Sequence, residues 1–441
     1  MGSNPTSFSP LTQRLGRRTF LKVGALAFGG WSLADQLRLQ AESGPALPRD
    51  TAVIQIFMGG GPSHIDMYDL KPAAPSEIRG EFSPISTSVN GILISEHLPR
   101  QASVMDKLAI VRSVCHSNAG HRPASHWMMT GYEPPTAAQQ NTNPSLGSVV
   151  ARLRGTNVTG LPAYVSIPRK QLLGGSAYLG NAYNPFTTEN DPSSSDFSVR
   201  NLSLTGGMTK GRLASRQELQ YGFDRFREQL DKEAEFAGLD KFSRDAYELV
   251  TGDRAAQAFD LSLEDPRIRE RYGNFSGGQG CLLARRLVEA GVTFVTVLSG
   301  GEWDTHVNNF EQLKTNSLPK IDSAVSALVT DLYERGLDKR VMVIAYGEFG
   351  RTPKINKDAG RDHWPGAASV LFSGGGLKVG QVVGETDPHG AYPITQRYTP
   401  GDVLSTVYHF LGIDRNHEFR DGSNRIFPVL NEGRPIPELL A

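Results

Sequence analysis

Seven of the ten histidines fall in a few short polar stretches, and most of those stretches also carry a carboxylate. The first, Gly59-Gly60-Gly61-Pro62-Ser63-His64-Ile65-Asp66, sets an imidazole and a carboxylate behind three glycines. The second runs from His116 through His121 to His126, with Arg122 beside His121. The third holds Asp304 and His306 after Gly300-Gly301. The fourth, Gly347-Glu348-Phe349-Gly350-Arg351, adds a carboxylate and a guanidinium, and the fifth carries Asp362 and His363, with His389 one loop later. A single histidine is most simply a hydrogen-bonded loop residue. Imidazoles and carboxylates gathered on one rim need a partner, because crowded charges are costly unless compensated. A divalent cation is an economical partner, zinc foremost, with manganese or calcium as alternatives. Other chemistries fit less well. The triple glycine lacks the Lys-Ser/Thr ending of a phosphate-binding Walker loop. No Gly-x-Ser-x-Gly elbow is present, and Ser63, His64 and Asp66 stand too close in sequence for a hydrolase triad.

These stretches follow apolar runs. Residues 52–58, 108–114, 292–298, 341–346 and 368–372 read as strands that are apolar throughout, which suits a parallel sheet covered on both faces. Helical patterns lie between them at 211–236, 282–290 and 318–335, the last with Ile321, Val325, Leu328, Val329 and Leu332 on one stripe. A further helix starts at Thr399-Pro400-Gly401-Asp402 and runs to Leu411. The alternation predicts a three-layer α/β/α sandwich with a mostly parallel central sheet. Ligands in such sheets sit beyond the carboxyl ends of the strands, where the polar stretches lie. Residues 168–208 read as an irregular insertion, of the kind that forms a surface loop or a lid.

Lys plus Arg is 46 and Asp plus Glu is 46, so no basic excess suggests a nucleic-acid partner. The two cysteines, Cys115 and Cys281, have no CxxC partner, and Cys281 reads as a small core residue. Residues 1–41 read as an address. Arg17-Arg18-Thr19-Phe20-Leu21-Lys22 resembles the twin-arginine export motif, and the mild apolar stretch behind it is too short to span a bilayer. The expectation is a periplasmic or extracellular protein, handled by the twin-arginine machinery, with one domain over residues 42–441 and no stable transmembrane segment.

The motifs GGGPSHIDMYDLKP, HRPASHWMMTG, WDTH followed by NN, GEFGRTP and GRDHWPG resemble an exported bacterial family known only as domain of unknown function fifteen-oh-one. More broadly, the chain resembles the alkaline phosphatase and sulfatase superfamily. The resemblance implies an alkaline phosphatase-like fold and chemistry on phosphate or sulfate esters. It places His121 where that superfamily has its nucleophile, a Ser, Thr or Cys at a helix start, with Pro123 on the motif's proline. It implies metal ligands at Asp304, Glu348 and His363, and at His306 with altered spacing. The superfamily's first-strand aspartate falls on Gly60, so Asp66 or His64 is expected to complete the shell.

The resulting expectation is an exported metal-dependent hydrolase acting on a small-molecule or polysaccharide ester. Metal-activated water or His121 serves as nucleophile, His121 or His126 as acid or base, and Arg122 or Arg351 grips an ester oxygen. Trp127, Trp303 and Trp364 flank the motifs and suit stacking on a sulfated polymer. Blander roles are a helix cap for Asp304 and a mutual ion pair for Glu348 and Arg351. The alternative is a non-catalytic exported metal- or ligand-binding protein on an inherited hydrolase fold.

Overall fold

The computed structural model describes residues 50–134, 140–199 and 253–441, all within the unit Asp50–Ala441. The export segment, the 211–236 helix and the end of the 168–208 insertion lie outside the described residues. Counting only strands of the central sheet, β1 is Ala52–Phe57, β2 Leu108–Val114, β3 Tyr164–Ile167 and β4 Phe186–Thr187. β5 is Phe294–Leu298, β6 Val341–Tyr346, β7 Ala368–Gly374 and β8 Gln381–Val383. Their order across the sheet is β8-β2-β7-β6-β1-β5-β3-β4. β7 runs antiparallel to both neighbours, β2 and β6, and the other pairings are parallel. The fold is therefore the expected α/β sandwich on a mostly parallel sheet.

The continuous apolar runs have a simple cause: both faces of the sheet are covered. In β1, Ile54 and Ile56 pack toward helices α3 (Ser276–Ala290) and α4 (Leu318–Glu334), with Leu282, Leu283, Val325 and Leu328. Val53 and Phe57 point the other way, toward α1 (His121–Thr130), α2 (Leu146–Leu153) and α5 (Pro400–Leu411), with Met128, Val149, Leu404 and Val407. Each such buried side chain contributes roughly 1.5–3 kcal/mol relative to exposure. The α5 start is sharp because Thr399 and Asp402 form a reciprocal capping box with Pro400 in the first turn.

The sequence pattern misses β3, β4 and β8, which are too short to show a period. It also starts α3 several residues late, because Gly277, Gly278 and Gly280 disfavour helix. Packing overrides that propensity. A Cβ on Gly277 would lie 1.8 Å from the Ser299 carbonyl oxygen, so the first turn of α3 can press against the end of β5 only with glycine there. Cys115 and Cys281 are both free, and burial in α3 pushes the Cys281 thiol up to about 12. Among the described residues, no helix is long and apolar enough to cross a membrane.

β7 brings a further loop to the functional edge. Because it is antiparallel, its leading residues reach the same sheet edge as the carboxyl ends of β1, β2, β5 and β6. A buried ion pair fixes this loop edge. Arg361 binds both oxygens of Asp66, Nε to Oδ2 at 2.8 Å and Nη2 to Oδ1 at 2.9 Å, with both side chains fully buried. Ser63 at 2.6 Å and Asn309 at 2.9 Å also donate to Asp66 Oδ2. Arg361 further donates to the carbonyls of Ile78, Thr352 and Pro353. The loops after β1, after β5 and before β7 are thus stapled at one point. Removing one partner strands a buried charge, so Arg361→Ala is expected to lower unfolding stability by about 3–5 kcal/mol in urea titration. A loss below about 1 kcal/mol would show that the staple is dispensable.

Candidate metal centre

Four of the expected residues meet at this edge. His121 is the first residue of α1, following β2; Asp304 and His306 follow β5; His363 immediately precedes the run into β7. Their atoms are close. His363 Nε2 lies 3.1 Å and His306 Nε2 3.0 Å from Asp304 Oδ1, and His121 Nε2 lies 3.1 Å from Asp304 Oδ2. The Nε2 atoms of His306 and His363 are 2.9 Å apart. His121, Asp304 and His363 each offer a ligand atom within 4.8 Å of the others.

The other nitrogen of each ring decides what these atoms are. His121 Nδ1 lies 2.7 Å from Glu348 Oε1, His306 Nδ1 2.7 Å from Asp362 Oδ1, and His363 Nδ1 2.7 Å from the Ala119 carbonyl oxygen. All three partners are acceptors, so each Nδ1 carries the proton and donates it. In the neutral rings every Nε2 is therefore a bare lone pair. Each Nε2 faces the Asp304 carboxylate, so it either carries a proton for that acceptor or offers its lone pair to a cation. The ligand atoms of His121, Asp304 and His363 all lie within 4.8 Å of one another, a span that ligands about 3.3 Å apart around a tetrahedral zinc would fill, and His306 stands outside that set, beside His363 and Asp304. Rings oriented through their far nitrogen by carboxylate or carbonyl are also what a metal-binding histidine needs. The donor set fits a divalent cation.

The surroundings prepare the same arrangement. Glu348 is only 2 % exposed, and besides His121 it accepts the Gly60 N–H on both oxygens, at 2.9 and 3.1 Å. Gly60 has φ +120°, and a Cβ there would come 2.7 Å from the Asp304 nitrogen, so only glycine lets the first loop lie against the Asp304 loop. Ser317 accepts from the Glu302 N–H at 3.1 Å and donates to its carbonyl at 2.8 Å, anchoring the approach to Asp304. His116 donates from Nε2 to the Glu348 carbonyl at 2.6 Å and accepts the Asn118 N–H, a loop-holding role. Asp304 itself is open to solvent, its side chain 46 % exposed.

Electrostatics follow the geometry. Burial acts on Asp304 to raise its pKa, but the Arg351 guanidinium with the His363 and His121 rings outweighs it and holds the carboxyl well below its usual range. His121 is raised, chiefly by its bond to Glu348. His363 is lowered, chiefly by burial, which keeps its ring neutral.

Several expected site residues serve elsewhere. Arg351 is buried and spends its donors on Asp304 Oδ1 at 2.6 Å and on the carbonyls of Gly60, Gly61, Trp303 and Arg361. It positions Asp304, and its fully buried side chain does not reach out to an ester oxygen. Glu348 accordingly binds Gly60 and His121 rather than pairing with Arg351. Asp66 is consumed by Arg361. His64 is buried, its Nε2 on the Gly390 carbonyl at 2.8 Å and its Nδ1 accepting from the Arg351 N–H, so neither completes the shell. His126 is also buried, with Nδ1 3.1 Å from the Tyr132 carbonyl and Nε2 3.0 Å from Thr142, and it does not reach the cluster. Arg122 is exposed on the first turn of α1, next to His121. Asp304 caps no helix; the next one, Asn309–Gln312, begins after Asn308. Trp303 is 1 % exposed with its indole N–H on Ser299 and Gly300, which removes it as a stacking surface, while Trp127 and Trp364 are half-buried. Sequence reasoning misses Arg361 and the orienting role of Asp362, although both stand in the same Gly-Arg-Asp-His motif.

The family model described as "Protein of unknown function (DUF1501)" matches residues 50–440. No curated protein matches the sequence. Among solved structures, the chain is similar to the PsFucS1 sulfatase from Pseudoalteromonas sp., at 12 % identity over 86 % of this chain and 70 % of that one, with a TM-score of 0.35. It is similar to alkaline phosphatase from the Antarctic bacterium TAB5, at 12 % identity over 83 % of this chain and 99 % of that one, with a TM-score of 0.35. A protein in the alkaline phosphatase superfamily from Vibrio parahaemolyticus shows 9 % identity over 88 % of this chain and 78 % of that one, with a TM-score of 0.37.

Two outcomes are expected in metal titrations. Asp362→Ala frees the His306 ring and is expected to weaken zinc binding about 10–100-fold, and Asp304→Ala by more. Protons compete for His121, whose pKa lies above the ordinary 6.5, so affinity should fall as pH drops through that titration. Affinity that is unchanged in both variants and flat with pH would place the cation elsewhere.

Proposed function

This chain belongs to the DUF1501 family, and we propose that it is a metal-dependent hydrolase of phosphate or sulfate esters. The single observation that carries the reading is the convergence of His121 and His363, with His306 beside them, on the one solvent-open carboxylate of Asp304. A bound divalent cation, zinc by preference, supplies Lewis acidity, making water more acidic and offsetting charge on an ester oxygen. In the reaction, water's oxygen bonds to phosphorus or sulfur, the bond to the bridging oxygen breaks, and one proton of that water ends on the departing alcohol.

The protein's own groups then have definite tasks. His121, His363 and Asp304 would hold the cation, with His306 beside them. Glu348, Asp362 and the Ala119 carbonyl fix the rings, and Arg351 fixes the carboxylate. His121 is better suited to be a ligand than a nucleophile, since its Nδ1 proton is committed to Glu348 and its Nε2 faces Asp304. That leaves water as the nucleophile. The helix α1 starts at His121 with Arg122 next to it, and a helix N-terminus favours the negative charge of an ester oxygen. The openness of Asp304 and His306 gives a bulky ester access to the rim. Export forms part of the proposal, supported by Arg17-Arg18 and the residues after them.

The test is a screen of aryl phosphates, aryl sulfates and phosphodiesters against the purified chain, with zinc or manganese and after chelation. We expect turnover of at least one class, a fall of at least about 100-fold on metal removal, and recovery on reloading. His121→Ala and Asp304→Ala should lose it. A fully loaded centre that hydrolyses nothing would favour the second reading, a binding protein that retains the metal cradle without a Ser, Thr or Cys at the start of α1.

A further inference from the structure

Next to the metal centre, the loops after β1, β3 and β5 enclose a cavity of about 560 Å³. Gly59 lines it from the β1 loop and Gly300 with Gly301 from the β5 loop. Arg169 and Lys170 line it from the loop after β3, both exposed. Leu172 and Leu298 add apolar surface. Among the described residues that line it, none is acidic. The wall toward the metal centre is shared: Trp303 lines the cavity and directly precedes Asp304, and Gly59 directly precedes Gly60, whose N–H holds Glu348.

The size is that of a small-molecule pocket, large enough for a sugar unit. Two adjacent cations without a carboxylate in the lining focus positive potential there, in a chain whose overall formal charge is zero. Arginine grips tetrahedral oxyanions through paired N–H donors, and lysine supplies a mobile point charge. The apolar wall suits the body of a ring, and the glycines let a ligand approach the backbone.

We infer that this cavity is a second anion subsite, which receives a sugar-sized ester body whose far end carries another phosphate or sulfate held by Arg169 and Lys170. The inference rests on the hydrolase reading for the group at the metal centre and names the substrate class: esters with two separated oxyanions.

Calorimetry on the full chain tests it with two ligand pairs. The first is glucose 1-phosphate against glucose 1,6-bisphosphate; the second is glucosamine 6-sulfate against N-sulfoglucosamine 6-sulfate. The member with two oxyanionic groups in at least one pair is expected to bind at least tenfold more tightly, and which pair responds distinguishes phosphate from sulfate. In Arg169→Ala/Lys170→Ala the two members should bind within about threefold of each other, and Arg169→Lys/Lys170→Arg should retain the preference. Both side chains are exposed, and a circular dichroism melt checks that the variants fold. No preference in the wild type, or a preference that survives the double alanine variant, overturns the subsite. Turnover followed in parallel separates the two ideas. Hydrolysis without preference removes the subsite alone, whereas preference lost in the variant, with no hydrolysis of any ester, keeps the subsite and removes the hydrolase reading.

Discussion

The ring nitrogens of His121 and His363, with that of His306 beside them, crowd the carboxylate of Asp304, and such a gathering calls for a positive species among them. At the edge of this sheet the positive species is either a proton on one or more rings or a cation bound to all of them. Glu348, Asp362 and the Ala119 carbonyl each take up the far N–H of a ring and turn its lone pair inward. Without those three acceptors the rings would be free to flip and the cluster would be an ordinary patch of polar loops. The fold can be understood as the means of holding that unfavourable juxtaposition in place.

Rigidity comes from groups that themselves never touch solvent. Arg351 ties Asp304 to the carbonyls of Gly60, Gly61 and Arg361, and Arg361 ties Asp66 to the carbonyls of Ile78, Thr352 and Pro353. A buried ion pair of this kind adds little net stability, because desolvation cancels much of the attraction. Its effect here is geometric: each guanidinium spends several directional donors and leaves its loops one mutual arrangement. The reversed direction of β7 contributes as well, bringing His363 to the edge where His121, Asp304 and Glu348 follow parallel strands.

The sheet is readable in the sequence because its strands are apolar on both sides, a pattern that survives without any alignment. The gathering of histidines behind those strands is readable too, since strand polarity alone places post-strand loops on one edge. Individual assignments are harder. Asp66 and Arg351 look like site residues by composition, and what removes them is a long-range partner: Arg361 for one, a ring of backbone carbonyls for the other. His126 is five residues from His121 on the same helix and therefore faces a different direction, into the core. Spacing alone does not say whether His121 attacks or coordinates; that depends on Glu348, 227 residues away along the chain. Trp303 looks like a platform in the sequence and is instead a buried prop beneath Asp304.

The most direct measurement is the anomalous-difference map of a zinc-soaked crystal, recorded on both sides of the zinc absorption edge. A cation held by the cluster gives one strong peak about 2.0–2.2 Å from the Nε2 atoms of His121 and His363 and from a carboxylate oxygen of Asp304. A map with no peak there, or with zinc bound only at other residues, would mean that the rings are held apart by protons and that the central claim is wrong.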